Sequence, residues 1–306
     1  MTGVPLVSVV IPTHDRLPLL REAVESVRVQ SFTDWELVVV DDGSTDGTEA
    51  FLDALANEDM RVRPLAMPHS GSATVARSAG VSASRGEWIA FLDSDDLWVP
   101  RKLEVQLRET LQHPRCGWSY TAYRHVDVRG NAIPGRPARA TPPRSGWILE
   151  GIVSFTIAAA IPTLLVRRSL FDAIGGFDQA LVLRSDYDLA LRLALASESV
   201  GVTDTLVIVR DHPARTTSSY PELGQLDENE AVFRKAMVSA PSARIRRLCA
   251  AQCAAQHAAM ARVHAEARDQ RAAWRALERG VRVAPTSLLA WRAVVGHVAR
   301  QAGLRR

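Results

Sequence analysis

Asp93, Asp95 and Asp96 place three carboxylates within four residues, directly after the apolar run Trp88-Ile89-Ala90-Phe91-Leu92. Acids this close repel one another unless a cation or hydrogen-bond donors offset the charge. A helix N-cap would need one acid, not three. Hard oxygen ligands in this number suit Mg2+ or Mn2+, ions that partner phosphates. The chemistry expected at this corner is therefore a divalent cation holding a phosphorylated substrate. Two further apolar runs end in polar clusters. Glu36-Leu37-Val38-Val39-Val40 leads into Asp41-Asp42-Gly43-Ser44-Thr45-Asp46-Gly47-Thr48, and Val7-Ser8-Val9-Val10-Ile11 leads into Pro12-Thr13-His14-Asp15-Arg16.

These runs are too short and too apolar for surface helices and read as buried strands of a parallel sheet. In open α/β sheets, ligands bind beyond the carboxyl ends of such strands, so three polar strand ends describe one crevice. Helices are expected over 18–30, 48–57 and 73–84, with a short strand over 62–66. This alternation implies a mostly parallel sheet flanked by helices on both faces. Past Pro100 the pattern predicts a helix to Gln112 and strands over 117–123, 161–166 and 200–209. Helices are expected over 168–174 and 186–196, and residues 127–146, rich in Gly, Pro and Arg, read as a long surface loop. From Asp227 the chain is Ala- and Arg-rich helix broken by Pro241 and Pro285, which sets expected domains at 1–226 and 227–306.

Composition is that of a soluble globular protein, 47% apolar and 23% charged. Its net charge of +3 is unevenly spread: residues 241–306 carry 13 Arg against three acids, leaving about −7 for residues 1–240. A basic appendage of this kind faces phospholipid headgroups or an acidic carrier, or is simply a solvated helical face. Charge without an aromatic-studded platform or recognition motif does not make a nucleic-acid site, and no nucleic-acid partner is expected. Cys116, Cys249 and Cys253 show no metal-ligand spacing and fit a reducing compartment. No cleavable leader is expected from the first apolar run, and the apolar stretch 152–166 is interrupted and too short to span a bilayer. The expected location is cytoplasmic, with contact at the inner membrane face through the basic helices.

Several motifs are excluded. The Gly43–Thr48 loop mimics a calcium loop in part, but its twelfth position is Asp53 and it follows a strand rather than a helix. GxGxxG is absent after the first strand, and so is the Walker A pattern. Asp186 and Asp188 open a helix, where acids favour the dipole by themselves. His212 beside Pro213 reads alone as a loop histidine, and Arg77 as a surface arginine.

Taken together, these pieces resemble family 2 glycosyltransferases, inverting enzymes with the GT-A fold. The matching pieces are Val7–Arg16, Val39–Thr48, Ala76-Arg77-Ser78-Ala79-Gly80, Phe91–Trp98, and Gly175-Gly176-Phe177-Asp178 with Asp186–Arg192. The resemblance covers roughly residues 5–215. It implies a GT-A nucleotide-diphospho-sugar transferase fold with an all-α C-terminal appendage. It also implies that Pro12, Thr13, His14 and Asp15 line a nucleotide pocket, with Asp42 on the base and Arg77 beside the donor. Asp93-Ser94-Asp95 becomes the DxD motif: Asp93 and Ser94 lie near the ribose, and Asp95, Asp93 and His212 serve Mn2+ or Mg2+. Asp186 becomes the catalytic base. The chain departs from the family pattern at His14-Asp15, Ser78 and Ser185, positions that bear on nucleotide recognition and acceptor geometry. Implied partners are a nucleotide-diphosphate-sugar donor and a hydroxyl acceptor (glycan, lipid carrier or small molecule); a homodimer is a further expected arrangement, independent of the resemblance. The alternatives are a non-catalytic nucleotide-binding scaffold and a sugar nucleotidyltransferase. The second would carry a Gly-rich basic loop after the first strand, where Pro12–Arg16 has no Gly.

Overall fold

The computed structural model describes residues 3–133, 142–212 and 220–301. The chain divides into two compact units, residues 1–148 with 156–215 and residues 149–155 with 216–306. In the first unit β1 (Val7–Thr13), β2 (Trp35–Asp41), β3 (Val62–Ala66) and β4 (Trp88–Phe91) run parallel, in the order β3-β2-β1-β4. Every residue of β1, β2 and β4 is buried, which is why they read as near-continuous apolar runs instead of alternating ones.

Beyond β4 the sheet becomes mixed. β5 (Leu97–Trp98), β6 (Trp118–Asp127), β7 (Leu165–Arg167) and β8 (Ser199–Asp211) complete eight strands ordered β3-β2-β1-β4-β7-β6-β8-β5. Four of the seven pairings are parallel; the antiparallel ones join β4 to β7, β6 to β7 and β5 to β8. The α/β sheet expected from the sequence is thus present. Its parallel character is concentrated in the half that carries the three polar strand ends.

Helices α1 (Leu17–Arg28), α2 (Thr48–Glu58) and α3 (Ala73–Ala83) are the crossovers of that half, and α4 (Lys102–Leu111) follows β5. Next come α5 (Leu149–Val153), α6 (Arg168–Ala173) and α7 (Ser185–Ala196). α1 buries Leu20, Ala23, Val24 and Val27, the apolar stripe its sequence spaces at helical period. α3 lies close on the sheet because residue 80 is Gly: a Cβ there would stand 2.5 Å from Val10 Cγ1 and 2.9 Å from Val40 Cγ2.

Two local differences from the sequence reading have plain causes. The strand expected over 161–166 opens as a single 3-10 turn, Ile161–Thr163, because Pro162 has no N–H for a ladder. β5 is two residues long, too short for any periodicity to register. Of the loop expected over 127–146, residues 134–141 lie outside the described residues. Its start is a turn closed on Asp127, whose Oδ1 accepts from Arg129 N at 2.8 Å and Asn131 N at 2.9 Å.

The second unit is helical: α5 with α8 (Glu222–Val238), α9 (Ala243–Glu266), α10 (Gln270–Val283) and α11 (Leu288–Gln301). Ser242 caps α9 by accepting from Ile245 N at 3.2 Å, and Asp269 caps α10 by accepting from Ala272 N at 2.9 Å. Small residues let these helices pack closely: Ala254, Ala284 and Ala290 form one cluster, and Ala261 and Ala276 join Met260 and Leu277 in another. Among the described residues, no helix is long and apolar enough to cross a membrane.

Candidate active site

The parallel register fixes the crevice. Thr13 at the end of β1 pairs with Asp41 at the end of β2, and Val10 of β1 pairs with Phe91 of β4. The polar residues after each strand must therefore emerge side by side. Asp42 N donates to Thr13 O at 2.9 Å, and Leu92 N to Val10 O at 3.1 Å, extending the ladder into the site.

On the β1–β2 side, Pro12 and Thr13 are buried and His14 is half-buried. Asp15 adopts φ 46° and is engaged locally, its Oδ1 accepting from Thr45 N at 2.7 Å. Asp15 N donates to Ser44 Oγ at 2.9 Å, and Leu17 N to Asp46 Oδ2 at 2.7 Å, so the two loops brace each other. The buried Asp42 carboxylate accepts from Ser70 N at 2.7 Å and Gly71 N at 3.1 Å. Its carbonyl accepts from His69 Nδ1 at 2.8 Å, and the His69 ring stacks on His14 with centroids 4.0 Å apart. Gly43 makes this approach possible: it adopts φ 74°, and a Cβ would meet His69 N at 2.9 Å.

At the β4 end each acid has its own partner. Asp93 accepts from Arg77 of α3, and Asp96 Oδ1 accepts from Arg210 N at 3.0 Å. Asp95 Oδ2 takes Arg16 Nη1 at 2.8 Å and lies 2.9 Å from His212 Nε2. One carboxylate oxygen from each of Asp93, Asp95 and Asp96 falls within 4.8 Å of the others, the sole such grouping among the described residues. Three hard oxygens with an imidazole beside them form a donor set that fits Mn2+ or Mg2+. Ser94, between the acids, is buried.

Arg77 is not the surface residue it seems in isolation. It is 9% exposed, wedged between α3 and the acidic corner, and its Nε has no hydrogen-bond partner among the described residues. Thr13 Oγ1 and His14 Nδ1 are likewise buried and unpartnered among those residues. Three orphaned polar atoms around one crevice are what a polar ligand would satisfy.

Asp186 opens α7 and remains partly exposed. Burial pushes its carboxyl above the ordinary value of 3.8 and the Asp93 charge adds to that, while Arg77, the Tyr187 amide and Arg184 oppose it. A raised carboxyl beside a cationic–anionic pair is a functional-site signature. Asp188, two residues on and on the other side of the helix, is spent on Arg192, whose Nε donates to it at 2.7 Å.

The structure thus gathers Asp93, Ser94, Asp95, His212 and Arg77 at one corner, Asp186 within electrostatic reach of it, and Thr13, His14 and Asp42 along the neighbouring strand ends. Sequence reading missed His69, which no periodicity marks. It assigned no role to Arg16, although Arg16 ends the first polar cluster. Arg210 also went unnoticed; it is buried, donates from Nε to Asp95 O and pairs with Glu22, backing the acidic corner from behind.

The profile described as Glycosyl transferase family 2 matches residues 8–167. TuaG of Bacillus subtilis (strain 168), named for teichuronic acid biosynthesis, is 40% identical over 119 residues, 39% of this chain and 47% of TuaG. An uncharacterized glycosyltransferase of Rickettsia typhi (strain ATCC VR-144 / Wilmington) is 30% identical over 235 residues, 75% of this chain and 70% of its own. The crystal structure of S. aureus TarS 1-349 in complex with UDP-GlcNAc has a TM-score of 0.70 at 19% identity, covering 91% of this chain and 81% of that one. A likeness at that identity is one of fold. The chain spans about half or less of the length of the first curated relatives it matches.

Proposed function

Because the chain belongs to glycosyltransferase family 2, we propose that it moves a sugar from a nucleotide-diphosphate donor to a hydroxyl acceptor, inverting the anomeric carbon. One observation carries this reading: Arg77 links the two ends of the chemistry, bonded to Asp93 and acting electrostatically on Asp186. A single displacement needs its base and its leaving-group site in one crevice.

In this reading Pro12, Thr13, His14 and Asp42 line the nucleotide pocket, with Asp15 holding the adjoining loops in place. Thr13 Oγ1 and His14 Nδ1 find partners on the nucleotide. Asp93 and Ser94 lie along the ribose. Asp95, Asp93 and His212 would hold Mn2+ or Mg2+, which when bound neutralises charge building on the departing diphosphate. Arg77 shares that task through its uncommitted Nε. Asp186 removes the acceptor hydroxyl's proton, a contribution of roughly 10²–10⁴-fold. Its raised affinity for protons suits it to the step, and one displacement requires no second carboxylate nucleophile. The first unit carries this chemistry and the helical unit is its appendage. The names of TuaG and of TarS's ligand support a nucleotide sugar donor and a surface-polysaccharide acceptor, with the chain working at the cytoplasmic face of the membrane.

The test is Mn2+-dependent thermal stabilisation across a set of sugar nucleotides. A matching donor at 100 times its dissociation constant should add about 2.7 kcal/mol. Asp95→Ala should abolish both the metal dependence and transfer. If no sugar nucleotide stabilises the protein, or transfer survives Asp95→Ala, the proposal is wrong.

A further inference from the structure

The last helix carries its apolar residues on two faces. Ala290 and His297 are buried, and Ala293 and Val294 pack against the cluster of Met260, Ala261, Ala276 and Leu277. Four larger apolar residues point the other way. Leu288 is 75% exposed, Trp291 49%, Val295 65% and Val298 47%, and their spacing of three, four and three residues forms one stripe along α11. Helices in water bury such a stripe, and bulky residues turned outward while alanine faces inward mark an interaction surface.

A groove of ≈ 420 Å³ between α10 and α11 is also largely apolar, lined by Trp274, Leu277, Val281 and Val294 together with Arg275 and Arg282. Its one acid, Glu278, is spent on Arg282 at 2.6 Å. Around this patch the charge is mainly positive. From Arg279 to Ala299 the sequence holds three Arg and no acid. Arg275, Arg279, Arg282 and Arg292 are all exposed.

We propose that the outer face of α11, with the arginines of α10, docks on an anionic phospholipid surface. Tryptophan and aliphatic side chains on one face, bordered by arginines that outnumber the one acid, Glu278, match what an interfacial helix needs: apolar residues entering the acyl boundary and guanidinium groups meeting phosphate. A second copy of the chain is disfavoured on this face, because like-charged arginines would be brought together. The inference rests on the reading of the chain as a transferase at a membrane face and says which surface makes that contact.

The full chain is mixed with vesicles of phosphatidylcholine alone and of phosphatidylcholine with phosphatidylglycerol, and bound protein is measured by flotation. Affinity for the anionic vesicles should exceed that for neutral ones by at least about tenfold and should fall with added salt. Leu288→Glu with Val295→Glu, both at exposed positions, should abolish binding while leaving the melting curve unchanged. Arg275→Glu with Arg282→Glu should weaken binding to anionic vesicles alone. Trp291→Phe should remove a blue-shifted component of the vesicle-bound fluorescence. Absence of vesicle binding, equal binding to neutral vesicles, or full binding by the Leu288/Val295 variant would overturn the docking surface. So would a dimer in light scattering that this variant dissolves without any vesicle binding. Donor stabilisation measured on the same proteins separates the two readings: its loss in every protein sinks the transferase reading, and its retention with no vesicle binding sinks only this one.

Discussion

Arg16 donates from Nη1 to Asp95 Oδ2 over 2.8 Å, on the same oxygen that His212 Nε2 reaches at 2.9 Å. The chain thereby supplies its own positive charge where a divalent cation is proposed to bind. Cation and guanidinium compete for one oxygen, so Arg16→Ala should bind Mn2+ more tightly without donor. With solvent screening, the expected gain is about tenfold, or about 1.4 kcal/mol. Electron paramagnetic resonance titration of Mn2+ measures it; unchanged or weaker binding would show that Arg16 is not the competitor.

Burial raises the Asp186 carboxyl above 3.8, so the folded state favours its protonated form. The stability linked to this group is fully present below the unfolded value and is lost as pH rises through the higher folded one. At neutral pH the ionised carboxyl is therefore a cost, and Asp186→Asn should melt no lower than the parent. It should still lose transfer by roughly 10²–10⁴-fold and keep donor binding. Arg77→Gln removes the main influence lowering Asp186, so the acid limb of its kcat profile should move to higher pH. A limb that stays put would mean that another group titrates.

In the helical unit Glu230 stands 3.5 Å from His257 Nε2 and pairs with Arg234. Its approach to His257 leads in pulling its carboxyl down from 4.5 to about 2, against a burial that would raise it. A depressed folded pKa means stability present above 4.5 and lost as pH falls toward about 2. The loss should be on the order of 2–3 kcal/mol. His257→Gln should flatten this acid dependence in urea melts between those limits. An unchanged slope would assign the effect to Arg234.

Lys102 is fully buried, its Nζ 3.8 Å from the centre of the Trp98 ring and without a hydrogen-bond partner among the described residues. Burial pushes its amine well below 10.5. The folded state holds fewer protons than the unfolded one between those two values, so stability should climb with pH across that window. Lys102→Met should remove the slope and stabilise by about 1–3 kcal/mol. Destabilisation would show that the contact with Trp98 outweighs the buried amine.

Where the polypeptide obeys a period, the sequence told the fold. β1, β2 and β4 appear as apolar runs because both their faces are covered, and the strand-end rule then gathers Thr13, Asp42 and Asp93 before any coordinate is known. What escaped detection depends on partners far along the chain. Only the family resemblance places Arg77 at the site; locally it is an ordinary helical arginine until Asp93, sixteen positions away, takes its guanidinium. Arg210 and Glu22 are separated by 188 positions, and nothing local to either predicts the pair. β5 exists only because Ile208 and Val207 offer it an edge. Tertiary pairing creates these features; composition and spacing do not encode them separately.

Thr74, on the same helix as Arg77, hydrogen-bonds Leu181 O at 3.0 Å and Ser185 Oγ at 2.8 Å, and both hydroxyl residues are fully or nearly fully buried. Because of these bonds, the rod bearing Arg77 and the stub bearing Asp186 are one mechanical part. On the proposed roles of Arg77 and Asp186, this clasp ties the donor contact to the residue that faces the acceptor.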